Sequence, residues 1–167
     1  MMDLKGKVAI VTGASSGIGQ ATAVSLAKLG CAVAIACREG DDLSDTKKAC
    51  IDAGLKEDQI RPVVGDITSE DINNAGIAKF GSIAGSPVSD LEQITAVNLT
   101  AAISMAKLAI PHIVASKGCI VNVSSLGGLR PNSMTPYYSI SKAGLDMFTK
   151  VLALELAPKG VRVNSVK

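Results

Sequence analysis

Val8-Ala-Ile-Val-Thr-Gly-Ala-Ser-Ser-Gly-Ile-Gly19 sets a short β-branched run directly against a glycine-rich turn, and a helical pattern follows it. Val8 to Val11 is continuously apolar rather than alternating, which reads as a strand buried on both faces. Ile18 to Leu29 then carries apolar residues at helical spacing, and Gly30 ends that helix as a cap. A turn between strand and helix gathers backbone N–H groups and the positive end of the helix dipole at one point, which suits a pyrophosphate. Gly13, Gly17 and Gly19, with Ser15, Ser16 and Ile18 between them, are therefore candidate cofactor-binding residues. Three glycines alone would serve any tight turn; their place between strand and helix gives them weight. No Gly-Lys-Ser/Thr follows, so the turn is not a nucleoside-triphosphate P-loop.

Outward from this turn the pattern repeats. Ala32 to Cys37 is a second strand, Asp41 to Ala53 is polar and helix-compatible, and Ile60 to Val64 is a third strand ending at Gly65 and Asp66. This β-α-β-α-β order is half of a doubly wound parallel sheet. After the turn-rich stretch Asn73 to Pro87, Leu91 to Ala115 forms a long helical segment with Ile94, Val97, Ala101, Met105 and Leu108 spaced for a buried face. Pro111 is expected to bend or end it. A strand at Cys119 to Val123, a helix from Tyr138 to Ala157 and a strand at Val161 to Val166 complete the pattern. The fold class is α/β, with one dinucleotide-binding domain over residues 1–167.

Composition removes several function classes. The chain has 167 residues, 47% of them hydrophobic, enough for a sizeable core. A net charge of +2 is too small for an electrostatic nucleic-acid footprint, and two Phe, two Tyr and no Trp provide no platform for stacking bases. Cys31, Cys37, Cys50 and Cys119 form no CxxC pair and there is one His, so no metal site is expected. The apolar run after Lys7 is too short for a signal sequence or a membrane span. A soluble cytoplasmic protein without nucleic-acid or membrane partners is the expectation.

Two positions bear on the cofactor and its chemistry. The tip of the second strand should meet the adenosine ribose, where an acidic residue would accept the 2′-OH and a basic one would take a 2′-phosphate. Cys37 and Arg38 stand there, which favours NADP (NADPH) over NAD; a solvated Arg38 beside Glu39 is the alternative. Tyr138 and Lys142, four residues apart at the start of a helix, project from one face. A cation near a phenol favours its ionised form, moving it toward general acid/base use. Tyr137 has Ser141 as its i+4 partner, so the register selects Tyr138.

The stations Thr12 to Gly19, Asp66, Asn73-Asn74-Ala75-Gly76, Asn98, Asn122-Val123-Ser124-Ser125 and Tyr138-Ser-Ile-Ser-Lys142 occur in an order that resembles the short-chain dehydrogenase/reductase family. The resemblance is to its 3-oxoacyl-reductase-like and carbonyl-reductase-like members, with a Rossmann-like sheet. It implies that Tyr138 protonates the substrate oxygen, that Lys142 tunes Tyr138 and holds the nicotinamide ribose, and that Ser125 positions the carbonyl. It further implies that Asn98 carries the water of a proton relay and that Asp66 contacts the adenine amino group, a helix cap being the alternative for Asp66. Ser125 is preferred over Ser124 because it lies thirteen residues before Tyr138. Asn74 and Gly76 are assigned to the turn beside the cofactor, and His112 to a helix-end surface position.

The chain departs from the family in length, being only about two-thirds of a typical member. Between Asp66 and Asn73 the family has a helix and a strand, whereas this chain has Ile67-Thr-Ser-Glu-Asp-Ile72, and six extended residues span only about 20 Å. A parallel crossover requires about 10 to 12 residues or more. The sheet is therefore expected to lack its fourth strand, and its final strand as well. The resulting expectation is an NADP-dependent oxidoreductase interconverting a ketone or aldehyde and an alcohol, homo-oligomeric if complete. The competing expectation is a non-catalytic remnant that binds cofactor weakly or associates with a full-length relative.

Overall fold

The computed structural model describes residues 3–65 and 76–167, which fall into two compact units, Met1–Ala75 and Gly76–Lys167. The first unit contains β1 (Val8–Thr12), α1 (Gly17–Lys28), β2 (Ala32–Cys37), α2 (Ser44–Asp52) and β3 (Ile60–Val64). Its three strands are parallel in the order β1-β2-β3, with Val8 opposite Ala32 and Val33 opposite Ile60. Val11, Val33 and Ile35 share the core that is buried with Ala23 and Ala27 of α1. Val8 and Ile10, by contrast, are 76% and 62% exposed. The expectation that β1 is buried on both faces is thus corrected: within this unit the apolar core covers one face only.

Local chemistry adjusts the element ends. The second helix begins at Ser44 rather than Asp41, because the Asp42 carboxylate accepts from the Ser44 backbone N–H at 2.8 Å and from the Ser44 hydroxyl at 2.6 Å. That local turn keeps the preceding residues out of the helix.

The second unit contains α3 (Val88–Thr95), a π-helical turn at Ala96–Thr100, α4 (Ala101–Ser116), β4 (Cys119–Val123), α5 (Pro136–Leu156) and β5 (Arg162–Val166). Strands β4 and β5 are parallel, with Cys119 opposite Arg162 and Val123 opposite Val166. Its core gathers Ala106, Leu152, Leu156, Val161 and Val163. Pro111 does not end α4; the helix runs on to Ser116 and stops at Lys117 in the left-handed region, φ 49°. Pro111 has no N–H to give the Lys107 carbonyl, and Lys107 is an exposed residue of the helix. The continuous helical stretch Val88–Ser116 is long and apolar enough to cross a membrane by length and composition, with mean hydropathy 1.4, although its Asn98 bonds Ser141 of α5. Such a segment therefore lies in the middle of the chain, not in the apolar run after Lys7.

No strand occurs between β3 and β4 among the described residues, and β1 pairs there with β2 alone. The parallel sheets with flanking helices are those of the doubly wound class, and among the described residues the fourth strand is lacking.

Candidate active site

In the first unit the glycine turn has the shape of an anion cradle. Gly13 and Gly17 sit at φ 58° and 57°, where a side chain would be strained. A Cβ on Gly19 would lie 2.2 Å from the Gly13 carbonyl oxygen, so α1 can approach the turn this closely only with glycine there. The turn is tied down from two sides. Ala14 N–H donates to the Ala36 carbonyl at 2.9 Å, and the buried Thr46 hydroxyl donates to the Ala14 carbonyl at 2.7 Å. Ser16 caps α1 in extended conformation without a side-chain cap bond, so the helix N-terminus is not filled from within. These features fit a dinucleotide pyrophosphate. Ile18 is 70% exposed at the same helix start.

At the tip of β2 the Arg38 guanidinium forks onto Asp41, Nε to Oδ2 at 3.3 Å and Nη2 to Oδ1 at 3.4 Å. Ser15 Oγ donates to the same Asp41 Oδ2 at 3.3 Å. Burial, with the Asp41 and Asp42 carboxylates, pushes the Cys37 thiol up, and Arg38 opposes that shift. The assignments to Asp66, Asn73 and Asn74 lie outside the described residues.

In the second unit Asn98, Ser125, Tyr138 and Lys142 are drawn together from the π-helical turn, the end of β4 and the start of α5. Tyr138 and Lys142 occupy the first turns of α5, the ammonium 5.7 Å from the centre of the phenol ring. Lys142 is 6% exposed and donates to the Val123 carbonyl at the end of β4, at 2.9 Å. Desolvation lowers its pKa from the ordinary 10.5, and the Asp146 carboxylate opposes that shift. Ser125 follows β4, its hydroxyl accepting from Gly127 N–H at 3.1 Å. A Cβ on Gly127 would lie 3.5 Å from both Ser125 Oγ and Tyr138 Cε1, so this glycine stands between the two side chains.

Asn98 projects from the π-helical turn and is 4% exposed. Its carbonyl oxygen accepts from Ile77 N–H at 2.8 Å, and its amide donates to the Ile77 carbonyl at 2.9 Å and to Ser141 Oγ at 3.0 Å. Ser141 in turn donates to the Tyr138 carbonyl at 2.7 Å, which links the π turn to the helix carrying the phenol. Gly76 lies beside both Asn98 and Lys142: a Cβ there would meet Lys142 Nζ at 3.7 Å and Asn98 Oδ1 at 3.8 Å.

The neighbours set aside by the sequence have other occupations. Tyr137 is buried and its hydroxyl donates to the Ser86 carbonyl at 3.1 Å. Ser124 is buried, with its hydroxyl 3.5 Å from the Lys142 carbonyl, and His112 is exposed on α4. Three residues that the sequence did not single out belong to the site's support: Thr46 beneath the phosphate turn, Ser141 behind Tyr138, and Asp146. Asp146 is 5% exposed, four residues beyond Lys142, and lies 3.4 Å from Lys167 Nζ. Its spacing from Lys142 was a readable signal; the contacts of Thr46 with Ala14 and of Asp41 with Ser15 join residues 32 and 26 positions apart and had none.

Comparison with known proteins gives the family. A short chain dehydrogenase family model matches residues 7–71 and 72–167, so the chain belongs to the short-chain dehydrogenase family of oxidoreductases, which use a nicotinamide cofactor on small-molecule substrates. The break between the matched stretches falls within the segment where a helix and strand are missing. L-xylulose reductase of Caenorhabditis elegans is 37% identical over 183 aligned positions, covering 98% of this chain and 71% of the relative. A 3-oxoacyl-(acyl-carrier-protein) reductase of Thermotoga maritima is 32% identical over 190 positions, covering 99% and 74%. Both alignments run longer than the 167 residues of this chain, so the relatives carry residues it lacks inside the matched span. Among solved structures, a short-chain type dehydrogenase/reductase of Mycobacterium marinum superposes with TM-score 0.91 at 31% identity, covering 99% of this chain and 75% of that one. A putative 2-deoxy-D-gluconate 3-dehydrogenase of Agrobacterium tumefaciens, with bound NADP, gives TM-score 0.85 at 29% identity, covering 98% and 71%.

Proposed function

We propose that this chain is built for NADP-dependent interconversion of a ketone or aldehyde with its alcohol, with Tyr138 as the proton donor. The observation that carries the reading is the assembly of Asn98, Ser125, Tyr138 and Lys142 in one unit. The bound nicotinamide supplies or accepts the hydride. Gly13, Ser15, Ser16, Gly17, Ile18 and Gly19 cradle the pyrophosphate, Arg38 takes the 2′-phosphate, Asp66 contacts the adenine amino group, and Asn74 serves the turn beside the cofactor. Ser125 orients the substrate oxygen by a hydrogen bond, and Tyr138 Oη gives it a proton. Lys142, held by the Val123 carbonyl, presents its ammonium to the phenol and binds the nicotinamide ribose. Asn98 carries the water of the proton relay.

Together residues 1–167 act as one dinucleotide-binding domain in the cytoplasm. Association through α4 and α5 is supported by Leu108, Met147, Val151 and Leu154, which are apolar and 54–79% exposed on these two helices. A non-catalytic reading is favoured by one specific observation, the missing helix and strand at the break near Asp71. The test is Tyr138→Phe in this chain and in a version carrying a relative's helix and strand at that break. Loss of about 100-fold or more in kcat, with NADPH affinity unchanged, is the expected result. Undiminished turnover by the Phe variant would remove Tyr138 from its role, and absence of any NADPH-induced thermal shift in this chain would favour the non-catalytic reading.

A further inference from the structure

Asp41 belongs to none of the family's stations, yet it is where the phosphate turn and the tip of β2 converge. Its carboxylate accepts from Ser15 Oγ at 3.3 Å and from Arg38 at 3.3 and 3.4 Å. A guanidinium fork flanked by a hydroxyl is a set of donors suited to a carboxylate or a phosphate, and both anions require the same N–H and O–H groups. Asp42 does not compete, since its oxygens are engaged in holding the start of α2 through Ser44.

We propose that Asp41 is a cofactor-selectivity residue, an internal carboxylate that contends with the 2′-phosphate of NADPH for Arg38 and Ser15 and so holds down the preference for NADPH over NADH. This inference rests on the NADP reading above. A 2′-phosphate that displaces Asp41 must break its bonds to both donors; one that settles beside it meets a like charge. The 2′-hydroxyl of NADH is neutral and meets neither cost. The side chains of Arg38 and Asp41 are 54% and 32% exposed, so their pairing is exchangeable and tunes affinity rather than blocking the site.

The experiment is calorimetric titration of the full chain and its Asp41→Asn, Asp41→Ser and Arg38→Ala variants. The ligands are NADPH, NADH and the adenosine fragments 2′,5′-ADP and 5′-AMP. The fragments read the first unit directly, whatever happens at the nicotinamide end. Asp41→Asn and Asp41→Ser should both raise the 2′,5′-ADP over 5′-AMP affinity ratio by about three- to tenfold, and the gain should shrink in 0.5 M salt as charge effects are screened, a concentration at which the Debye length is only about 4 Å. Arg38→Ala should abolish the ratio. If Arg38→Ala abolishes it while both Asp41 variants leave it unchanged or lower it, Asp41 orients Arg38 instead of competing and the proposal is overturned. If the unaltered chain and Arg38→Ala alike bind the two fragments equally, the NADP reading itself falls, and this inference with it.

Discussion

Lys142 carries its charge where water scarcely reaches, and its pH dependence follows from that. Desolvation depresses its folded-state pKa below 10.5, with Asp146 as partial compensation. Between the depressed value and 10.5 the unfolded chain binds the proton that the folded chain has released, so stability from this group rises with pH in that window. Below the folded pKa its full cost is present. The melting temperature of the unaltered chain minus that of Lys142→Met should therefore increase as pH is raised from neutrality toward 10.5. A difference that stays flat or falls would mean that Lys142 is not held against its charge. The same scale separates the two adjacent tyrosines, since Tyr137 spends its hydroxyl on Ser86 while Tyr138 faces Lys142.

Two elements each depend on the identity of a single residue. The π-helical turn at Ala96–Thr100 places Asn98 so that both polar ends of its amide meet the Ile77 backbone. Asn98→Ala would leave the Ile77 N–H, the Ile77 carbonyl and Ser141 Oγ short of a partner, at about 1 to 3 kcal/mol for each group that water cannot reach. Urea unfolding should show a loss in that range or above for Asn98→Ala. A loss well below about 1 kcal/mol would argue against the backbone clamp. The phosphate turn depends similarly on Gly19. A Cβ there would meet backbone rather than a movable side chain, so Gly19→Ala must displace α1 from the turn. NADPH affinity should fall by about tenfold or more, equivalent to about 1.4 kcal/mol, which titration calorimetry would read. Unchanged affinity would show that the pyrophosphate binds elsewhere.

For the whole molecule the deciding quantity is the alignment of the hydride with the proton that Tyr138 delivers. Misplacement near 1 Å costs about 100-fold in such reactions. Insertion of a relative's helix and strand between Asp71 and Ile72 should accordingly raise kcat/KM with NADPH and a ketone panel by about 100-fold or more over this chain. Comparable values would show that the inserted strand is dispensable to the chemistry.

The glycine turn and the alternation of strands with helices were legible in the sequence because each shows as a pattern among residues within a few positions of one another. Local steric and hydrogen-bonding rules act at that range, and the family's stations repeat them in order. Even the missing strand was readable, since six residues cannot make a crossover. Tertiary structure alone decided that Val8 and Ile10 lie exposed, that α4 runs through Pro111, and that Thr46 supports the phosphate turn. It alone brought Asp41 against Ser15, 26 positions away. The exposure of β1 and the contacts of Thr46 and Asp41 depend on which distant groups satisfy a polar atom or cover an apolar face, and packing between segments far apart along the chain leaves no periodic trace in the sequence.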